Sequence, residues 1–242
     1  MRIVAPSARI LAVEDGRDIL GRLEFAGRIC YKSEDKISKD SAAPFLDRIV
    51  RSGHLSVIEH ASAAAHIVCD RGVSHELVRH RLASFSQEST RYADYSGKRF
   101  GREITVIRPC FWPEGSPAYM LWLDAVQRAE TAYFALRDAG AAAQQARAVL
   151  PNSLKTELVV SCNMREWRHI FELRCAPAAH PQMREIMLPL LRDMHRRVPT
   201  LFADLHTAFT RDMPETAPAC AAAACALSPK QEDLPCGTAA VH

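Results

Sequence analysis

Residues 117–139 form the clearest helical pattern in the sequence, and this pattern constrains the fold more than any other feature. Both of its ends carry recognisable signals. Ser116 is a preferred N-cap residue, Pro117 suits the first helical position, and Gly140 can close the C-terminal end. The other elements of the chain are therefore expected to pack around at least one long helix.

Shorter patterns predict the remaining elements. Helical patterns occupy residues 17–31, 42–52 before Gly53, 73–81 with Ser74 as N-cap, 141–151, 163–174, and 181–211 with interruptions at Pro189 and Pro199. Strand patterns occupy residues 1–13, where Pro6 argues against a central strand, 61–70, 104–109 and 155–163. Residues 54–60 are predicted to be a loop, residues 84–103 have no clear period, and Asn163 and Glu166 fit a capping box.

This order of elements predicts an α+β fold in which an antiparallel or mixed sheet packs with long helices. The chain has 242 residues, enough to bury a substantial core, and we expect one domain over residues 1–212. Residues 213–242 are rich in Ala, Pro and Cys without periodicity, which predicts a disordered tail.

Positive charge is concentrated in one part of the chain. The net charge of +3 is too small to indicate a general nucleic-acid binder. Residues 79–108, however, hold seven Arg or Lys residues against three Asp or Glu residues. This local excess predicts a defined anionic ligand and not a polyanion.

Cysteine and histidine spacings give no sign of a metal site or of a disulfide framework. The eight cysteines are scattered without a CxxC pair, and we expect reduced thiols in a cytoplasmic protein. His75 and His80 are five residues apart, about 140° on a helix, so they do not share one face as zinc ligands would. No apolar run approaches the roughly 20 residues of a membrane helix, and we expect no membrane association.

The segment RHRLASFSQESTRY, residues 79–92, has the composition of an anion-binding site. Its arginines, Arg79, Arg81 and Arg91, offer planar donor groups that fit phosphate or carboxylate oxygens. Its serine and threonine hydroxyls can complete a phosphate-binding shell. On this local chemistry alone, a solvated turn with surface arginines is an equally good interpretation. A Ser89 nucleophile with His80 as base is disfavoured, because no G-x-S-x-G context surrounds the serine.

Several segments together resemble a known family. Arg79-His80-Arg81, followed after seven residues by Ser89-Thr90-Arg91-Tyr92, resembles the signature of the flavin-dependent thymidylate synthases. GHLSVIEH (53–60), ARAVLP (146–151) and NMREWRHIFELR (163–174), with His180 after them, resemble further segments of that family in the same order. The resemblance covers about residues 1–211.

The resemblance implies an enzyme that converts dUMP to dTMP. Members of this family use 5,10-methylenetetrahydrofolate as carbon donor, NADPH as reductant and FAD as cofactor. The reduced flavin supplies the hydride, and no enzyme cysteine is thought to act as nucleophile. The resemblance also implies a homotetramer whose active sites are shared between subunits, with neither a nucleic acid nor a membrane as partner.

The resemblance also assigns residues to the two ligands. For FAD it implies Ser56, Glu59, Arg79, His80, Arg81, Gln87, Asn163, Met164, Arg165 and His169. For dUMP it implies Glu76, Leu77, Val78, Arg79, Gln87, Glu88, Ser89, Thr90, Arg91, Arg174 and, from another subunit, Arg147. Glu76 replaces a glutamine that is more common in the family, and His169 stands where some members have asparagine.

Arg174 is the implied catalytic residue, and its position on the predicted helix is unusual. At about 100° per residue it falls on the apolar face that includes Trp167 and Phe171. A cation there must either extend to solvent at the helix end or bind an anionic partner. By the resemblance, that partner is uracil deprotonated at N3, whose C5 thereby becomes nucleophilic.

Two other functions remain open at this point. A nucleotide- or RNA-binding module could use the basic segment 79–108 together with Phe85, Tyr92 and Tyr95 as stacking groups. It would give colourless protein and strongly salt-dependent RNA binding. A flavoprotein that acts on another substrate would bind FAD but would release no hydrogen from C5 of dUMP.

Overall fold

The computed structural model describes residues 1–13 and 16–210. The strands are β1 (Arg2–Val4), β2 (Ser7–Val13), β3 (Ser62–Asp70), β4 (Ser84–Gln87), β5 (Thr105–Ile107) and β6 (Lys155–Asn163). The helices are α1 (Gly16–Ile29), α2 (Ala42–Arg51), α3 (Arg71–Leu77), α4 (Pro117–Asp138), α5 (Ala143–Ala146), α6 (Met164–Arg174), α7 (Pro181–Arg197) and α8 (Pro199–Thr210). The predicted α+β class is confirmed, whereas the predicted tail lies outside the described residues.

A four-stranded antiparallel sheet in the order β2-β3-β6-β4 forms the centre of the fold. In β3 and β6 alternate residues are buried, as expected for a sheet with one face against helices. The predicted strand over residues 1–13 is in fact two strands. β1 pairs in parallel with β5 in a separate sheet, and β2 forms an edge of the main sheet.

Helix α6 lies against the buried face of the main sheet through its predicted apolar stripe. Trp167 and Phe171 are fully buried and stack with ring centroids 5.6 Å apart. The indole Nε1–H of Trp167 donates to the backbone oxygen of Ala63 at 3.0 Å, which ties α6 to β3. The position of α6 is thus fixed by core packing, and the exposed side chains of Arg165 and His169 are free to serve a site.

The long helix α4 has the ends that the sequence predicts. The Ser116 hydroxyl accepts a hydrogen bond from the Tyr119 backbone N–H, Pro117 is the first helical residue, and Gly140 adopts a left-handed φ of +89°. The helix packs in a second, smaller apolar cluster with Tyr95. No helix in the described part of the chain is both long and apolar enough to span a membrane.

Two predictions about helix boundaries are wrong. Asp70, and not Ser74, caps α3: its carboxylate accepts from the Val73 N–H at 2.7 Å, while the Ser74 hydroxyl donates to the Arg71 carbonyl within the first turn. Aspartate is as good a cap as serine, so the helix begins and ends earlier than predicted. As a result, residues 79–81 lie beyond α3, in a turn.

Two further predictions need correction, and a segment for which no element was predicted contains a strand. Pro189 does not interrupt α7, because the buried Leu188 and Leu190 hold the helix in the core on both sides of it. Residues 54–60 are not an irregular loop, because Leu55–His60 form a 3₁₀ helix. Residues 84–103, which lack a period, include the strand β4.

Candidate functional site

A cavity of about 760 Å³ lies between α6, the turn after α3 and the 3₁₀ helix Leu55–His60. Its size is within the range of small-molecule and cofactor sites. Eight of the residues assigned to ligands border it: Glu59, Arg79, His80, Arg81, Asn163, Arg165, His169 and Arg174. The fold thus brings three distant sequence segments to one site.

Two polar residues stand at the start of α6, and one of them connects the helix to the 3₁₀ helix Leu55–His60. The Asn163 side chain accepts the backbone N–H of Glu166 at 2.9 Å and so caps the helix. Two residues further along the chain, the Arg165 guanidinium donates to the Glu59 carboxylate at 2.6 Å. Both partners of this ion pair are exposed, so it contributes little to stability and leaves them available to a ligand.

The Arg174 side chain is turned inward and is anchored at three points. Its Nε–H donates to His80 Nε2 at 3.1 Å, one terminal N–H donates to the Glu76 carboxylate at 2.7 Å, and the other donates to the Glu76 carbonyl at 3.1 Å. The side chain is 20% exposed. Arg174 therefore does not extend to solvent, and two of the five N–H groups of a guanidinium remain available to a ligand.

His80 is the buried centre of the site. It is 5% exposed, its Nδ1 lies 3.3 Å from the Glu166 carboxylate, and the His169 ring meets it edge-on at 5.7 Å. Burial, with the charges of Arg174 and His169, lowers the pKa of His80 to about 4. The ring is therefore neutral at physiological pH and can accept the hydrogen bond of Arg174.

Glu166 differs from its prediction as a capping-box residue. Its side chain is buried and faces His80 instead of returning to the Asn163 backbone. The possible ligand atoms of His80, Glu166 and His169 lie within 4.8 Å of one another, a spacing that could hold a metal ion. The Arg174 guanidinium bonded to His80 places a positive charge beside this cluster and disfavours a cation there.

The other part of the basic segment lies at the far end of β4. The four residues of this strand span roughly 13 Å. Gln87 points into the interior, where its amide donates to the Ser74 and Thr156 hydroxyls. Glu88 and Ser89 border a second cavity of about 570 Å³, in which Lys155 binds the Glu88 carboxylate.

Arg91 and Arg147 are exposed beside α5, next to the buried Thr90. A terminal N–H of Arg147 donates to the Thr90 hydroxyl at 3.4 Å, and the Arg91 Nε–H donates to the Gln144 amide oxygen at 3.1 Å. Arg91 also lies over the Tyr92 ring. Within the described residues, the two arginines therefore contact neutral groups only, and their charges are free to attract an anion.

Some assigned residues do not face a cavity. Leu77 and Met164 are buried in the core, and the Met164 N–H is already bonded to the Ala61 carbonyl. Ser56 and Val78 are exposed at the surface. The single chain does not bring these four residues to the cavity, and their assigned ligand contacts remain predictions.

Glu166 and Gln144 are the site residues that the sequence analysis missed. The partner of Glu166, His80, lies 86 positions earlier in the chain, and Gln144 meets Arg91 across 53 positions. The position of Glu166 near a helix N-cap already explains a glutamate there, so no local pattern indicated its contact with His80.

Comparisons with a family of known sequences and with individual proteins point to the same family. The family described as "Thymidylate synthase complementing protein" matches residues 15–200. Proteins named flavin-dependent thymidylate synthase from Geobacter sulfurreducens and Mycobacterium tuberculosis are 36% and 34% identical to the chain. Each alignment covers 81% of this chain, and it covers 86% and 83% of the respective relative.

A solved structure agrees in fold and in length. The crystal structure of a UMP/dUMP methylase PolB from Streptomyces cacaoi, bound with 5-Br dUMP, superposes with a TM-score of 0.67 at 25% sequence identity. The superposition covers 88% of this chain and all of that chain. The α+β arrangement described above is therefore shared with a protein crystallised with a pyrimidine nucleotide.

Proposed function

Because this chain belongs to the family of the thymidylate synthase complementing proteins, we propose that it is a flavin-dependent thymidylate synthase. In this proposal it converts dUMP to dTMP with FAD as cofactor, 5,10-methylenetetrahydrofolate as carbon donor and NADPH as reductant. Relatives with this activity in their name match over most of their length, which supports transfer of the activity to this chain.

The donors around the larger cavity fit the proposed cofactor. FAD carries a diphosphate and a ring system with several hydrogen-bonding edges. Arg79, Arg81 and Arg165 offer cationic N–H donors for the diphosphate, and the Asn163 amide and the His169 ring can bind neutral polar edges. When bound there, the reduced flavin would supply the hydride that completes the methyl group.

Arg174 carries the mechanistic part of the proposal. Its guanidinium faces the cavity, is held at three points and keeps two N–H groups for a ligand. Beside uracil N3 it would favour the deprotonated ring by charge and hydrogen bonding, which raises electron density at C5. C5 would then attack the methylene carbon of the folate without an enzyme nucleophile.

Four of the five cysteines of the described residues are consistent with a reaction that needs no thiolate. Burial raises the pKa of Cys69 and of Cys175 to about 12 and raises that of Cys162 further. Burial and the Glu185 carboxylate raise the pKa of Cys110 to about 11. These four thiols are protonated at neutral pH and are poor nucleophiles.

The nucleotide phosphate would bind to the cluster of Thr90, Arg91 and Arg147. This cluster and Arg174 lie at opposite ends of β4, so we propose that a complete site forms between chains of a homotetramer. One chain would contribute the cavity with Arg174, and another would contribute the phosphate-binding arginines.

The alternative of an RNA-binding module receives less support. Tyr95, one of its three stacking aromatics, is 4% exposed and packs in the core around α4. Arg79 and Arg81 border a concave cavity instead of continuing the basic surface to Arg99. A base could not stack on Tyr95 without opening that core.

The experiment that tests the proposal measures tritium release from C5-tritiated dUMP by flavin-loaded protein, with methylenetetrahydrofolate and NADPH. Release of tritium with formation of dTMP is expected. Arg128→Ala, at an exposed ion pair on α4 whose residues do not border the cavity, serves as a control that should match wild type. Flavin-loaded wild-type protein that releases no tritium would contradict the proposed function.

A further inference from the structure

Glu166 is a buried carboxylate at the edge of the cavity. The proposed reaction assigns no role to its contact with His80. It is 5% exposed, and the neutral His80 ring lies beside it, with Oε1 and Nδ1 3.3 Å apart. Burial of a carboxylate is unfavourable unless a donor compensates it. Its position therefore requires a hydrogen on the facing nitrogen of His80.

The contact on the opposite side of the ring favours the same tautomer of His80. The Arg174 Nε–H can only donate, so His80 Nε2, at 3.1 Å, must present its lone pair. In a neutral imidazole the single proton then belongs to Nδ1, which faces Glu166. The opposite tautomer would set two N–H groups against each other and leave the buried carboxylate beside a lone pair.

We propose that Glu166 is a positioning residue: it holds the proton of His80 on Nδ1, so that Nε2 accepts from Arg174 and orients the guanidinium towards the pyrimidine. This inference rests on the proposed function for its catalytic consequence. In this proposal Glu166 acts on Arg174 through His80. The polar contacts run from Glu166, near the start of α6, to His80, in the turn after α3. From His80 they continue to Arg174, at the end of α6.

The role of Glu76 is complementary. Its carboxylate and its backbone carbonyl fix the terminal nitrogens of Arg174, whereas His80 fixes Nε. If Nε2 carried a proton, Arg174 would keep the Glu76 contacts but could rotate about them. A displacement of about 1 Å at a reacting group can lower a rate by about 100-fold. Loss of the Glu166 acceptor should thus affect turnover more than ligand binding.

The test compares Glu166→Leu, which removes the acceptor, with Glu166→Gln, whose carbonyl oxygen can still accept from Nδ1–H. We expect kcat for tritium release to fall by about 100-fold in Glu166→Leu with little change in KM for dUMP, and by less than about 10-fold in Glu166→Gln. Glu114→Leu, at an exposed ion pair, is the matched control. Equal losses in the two Glu166 variants would overturn the acceptor role.

A double-mutant comparison separates positioning from a purely structural effect. In a His80→Asn background, Glu166→Leu should cause no more than about a twofold further loss of kcat, because the residue through which it acts is gone. Losses that multiply in the double variant would contradict the proposal. Flavin absorbance and thermal unfolding of each variant establish that it is folded and loaded.

A readout independent of activity is the ¹⁵N spectrum of the histidine rings in labelled holoenzyme. The His80 signals, identified by their loss in His80→Asn, should show Nδ1 protonated in wild type, and Glu166→Leu should move proton occupancy towards Nε2. A wild-type ring protonated on Nε2 would overturn the inference. Absence of tritium release from wild type would instead overturn the proposed function. The ¹⁵N spectrum would still decide the tautomer of His80.

Discussion

The two basic regions of this molecule, around Arg174 and around Arg147, differ in how their charges are compensated. Arg174 is bound to the Glu76 carboxylate and to a neutral His80. Arg91 and Arg147, at the other end of β4, contact an amide oxygen, a hydroxyl and an aromatic ring. A guanidinium that is held rigidly and paired with a carboxylate is suited to orient a reacting ring. Guanidinium groups without a carboxylate partner are suited to bind a phosphate.

The largest effect should come from the compensated region. We expect Arg174→Ala to lower kcat for tritium release by about 1,000-fold, the upper range for loss of one preorganised donor, while FAD stays bound. Arg174→Lys keeps the charge but loses the planar fork and should remain strongly impaired. The measurement is single-turnover tritium release beside flavin absorbance. Loss of flavin from Arg174→Ala would show that the arginine has a different role.

The buried His80 should make folding sensitive to acid. Its pKa is lowered to about 4, below the ordinary value of 6.5, so the unfolded chain takes up a proton more readily than the folded chain between these pH values. The contribution of His80 to the free energy of unfolding is fully present above pH 6.5. It is lost as pH falls towards 4, and the total loss is on the order of 3 kcal/mol.

Urea unfolding at pH 5 and pH 7 checks this expectation. His80→Asn should show a smaller loss of stability between the two pH values than wild type. His195 and His206 also have lowered pKa values, His195 through burial and the neighbouring His206, and His206 through burial and Arg192. They are unchanged in the variant, so the difference isolates His80, and an identical pH dependence would refute its buried neutral state.

Removal of an arginine from the uncompensated region should affect affinity instead of chemistry. Arg91→Ala or Arg147→Ala each removes a charged hydrogen bond to phosphate, worth about 1.5–3 kcal/mol, so KM for dUMP should rise about 10- to 100-fold. FAD binding and the rate at saturating dUMP should change little. A large fall in kcat with unchanged KM in these variants would contradict the distinction between the two regions.

The smallest expected effect concerns the carboxylate that compensates Arg174. Glu76→Gln keeps an oxygen that can accept from Arg174 but removes a negative charge beside an anionic ligand. We expect dUMP to bind a few-fold more tightly, by about 1 kcal/mol or less after solvent screening. Isothermal titration with dUMP measures the change, and weaker binding would show that the charge itself is required.

The sequence predicted local features well where local chemistry determines them. The capped ends of α4 and the apolar face of α6 follow from residue type and periodicity, and both are confirmed. Pro189 was misjudged because the helix-breaking effect of proline is offset by buried leucines on both sides, a tertiary effect that no local pattern contains.

The assigned residues include eight that border the larger cavity, but the contacts between them were not predicted. The family resemblance selected Arg174 and His80, and the apolar position of Arg174 showed that it needs a partner. That partner is Glu76, 98 positions away, and the ring that orients it is fixed by Glu166, which had a simpler local explanation. Contacts of this kind depend on how α6 and the turn after α3 pack together.

The central claim is that the two regions belong to one site formed by different chains, and a mixture of two defective variants tests it most directly. Arg174→Ala and Arg147→Ala are co-expressed in equal amounts, and tritium release is compared with that of each variant alone. If the regions meet across a subunit boundary, random assembly leaves about a quarter of the sites intact, and activity should recover to about that fraction of wild type. A mixture no more active than its components would contradict a shared site.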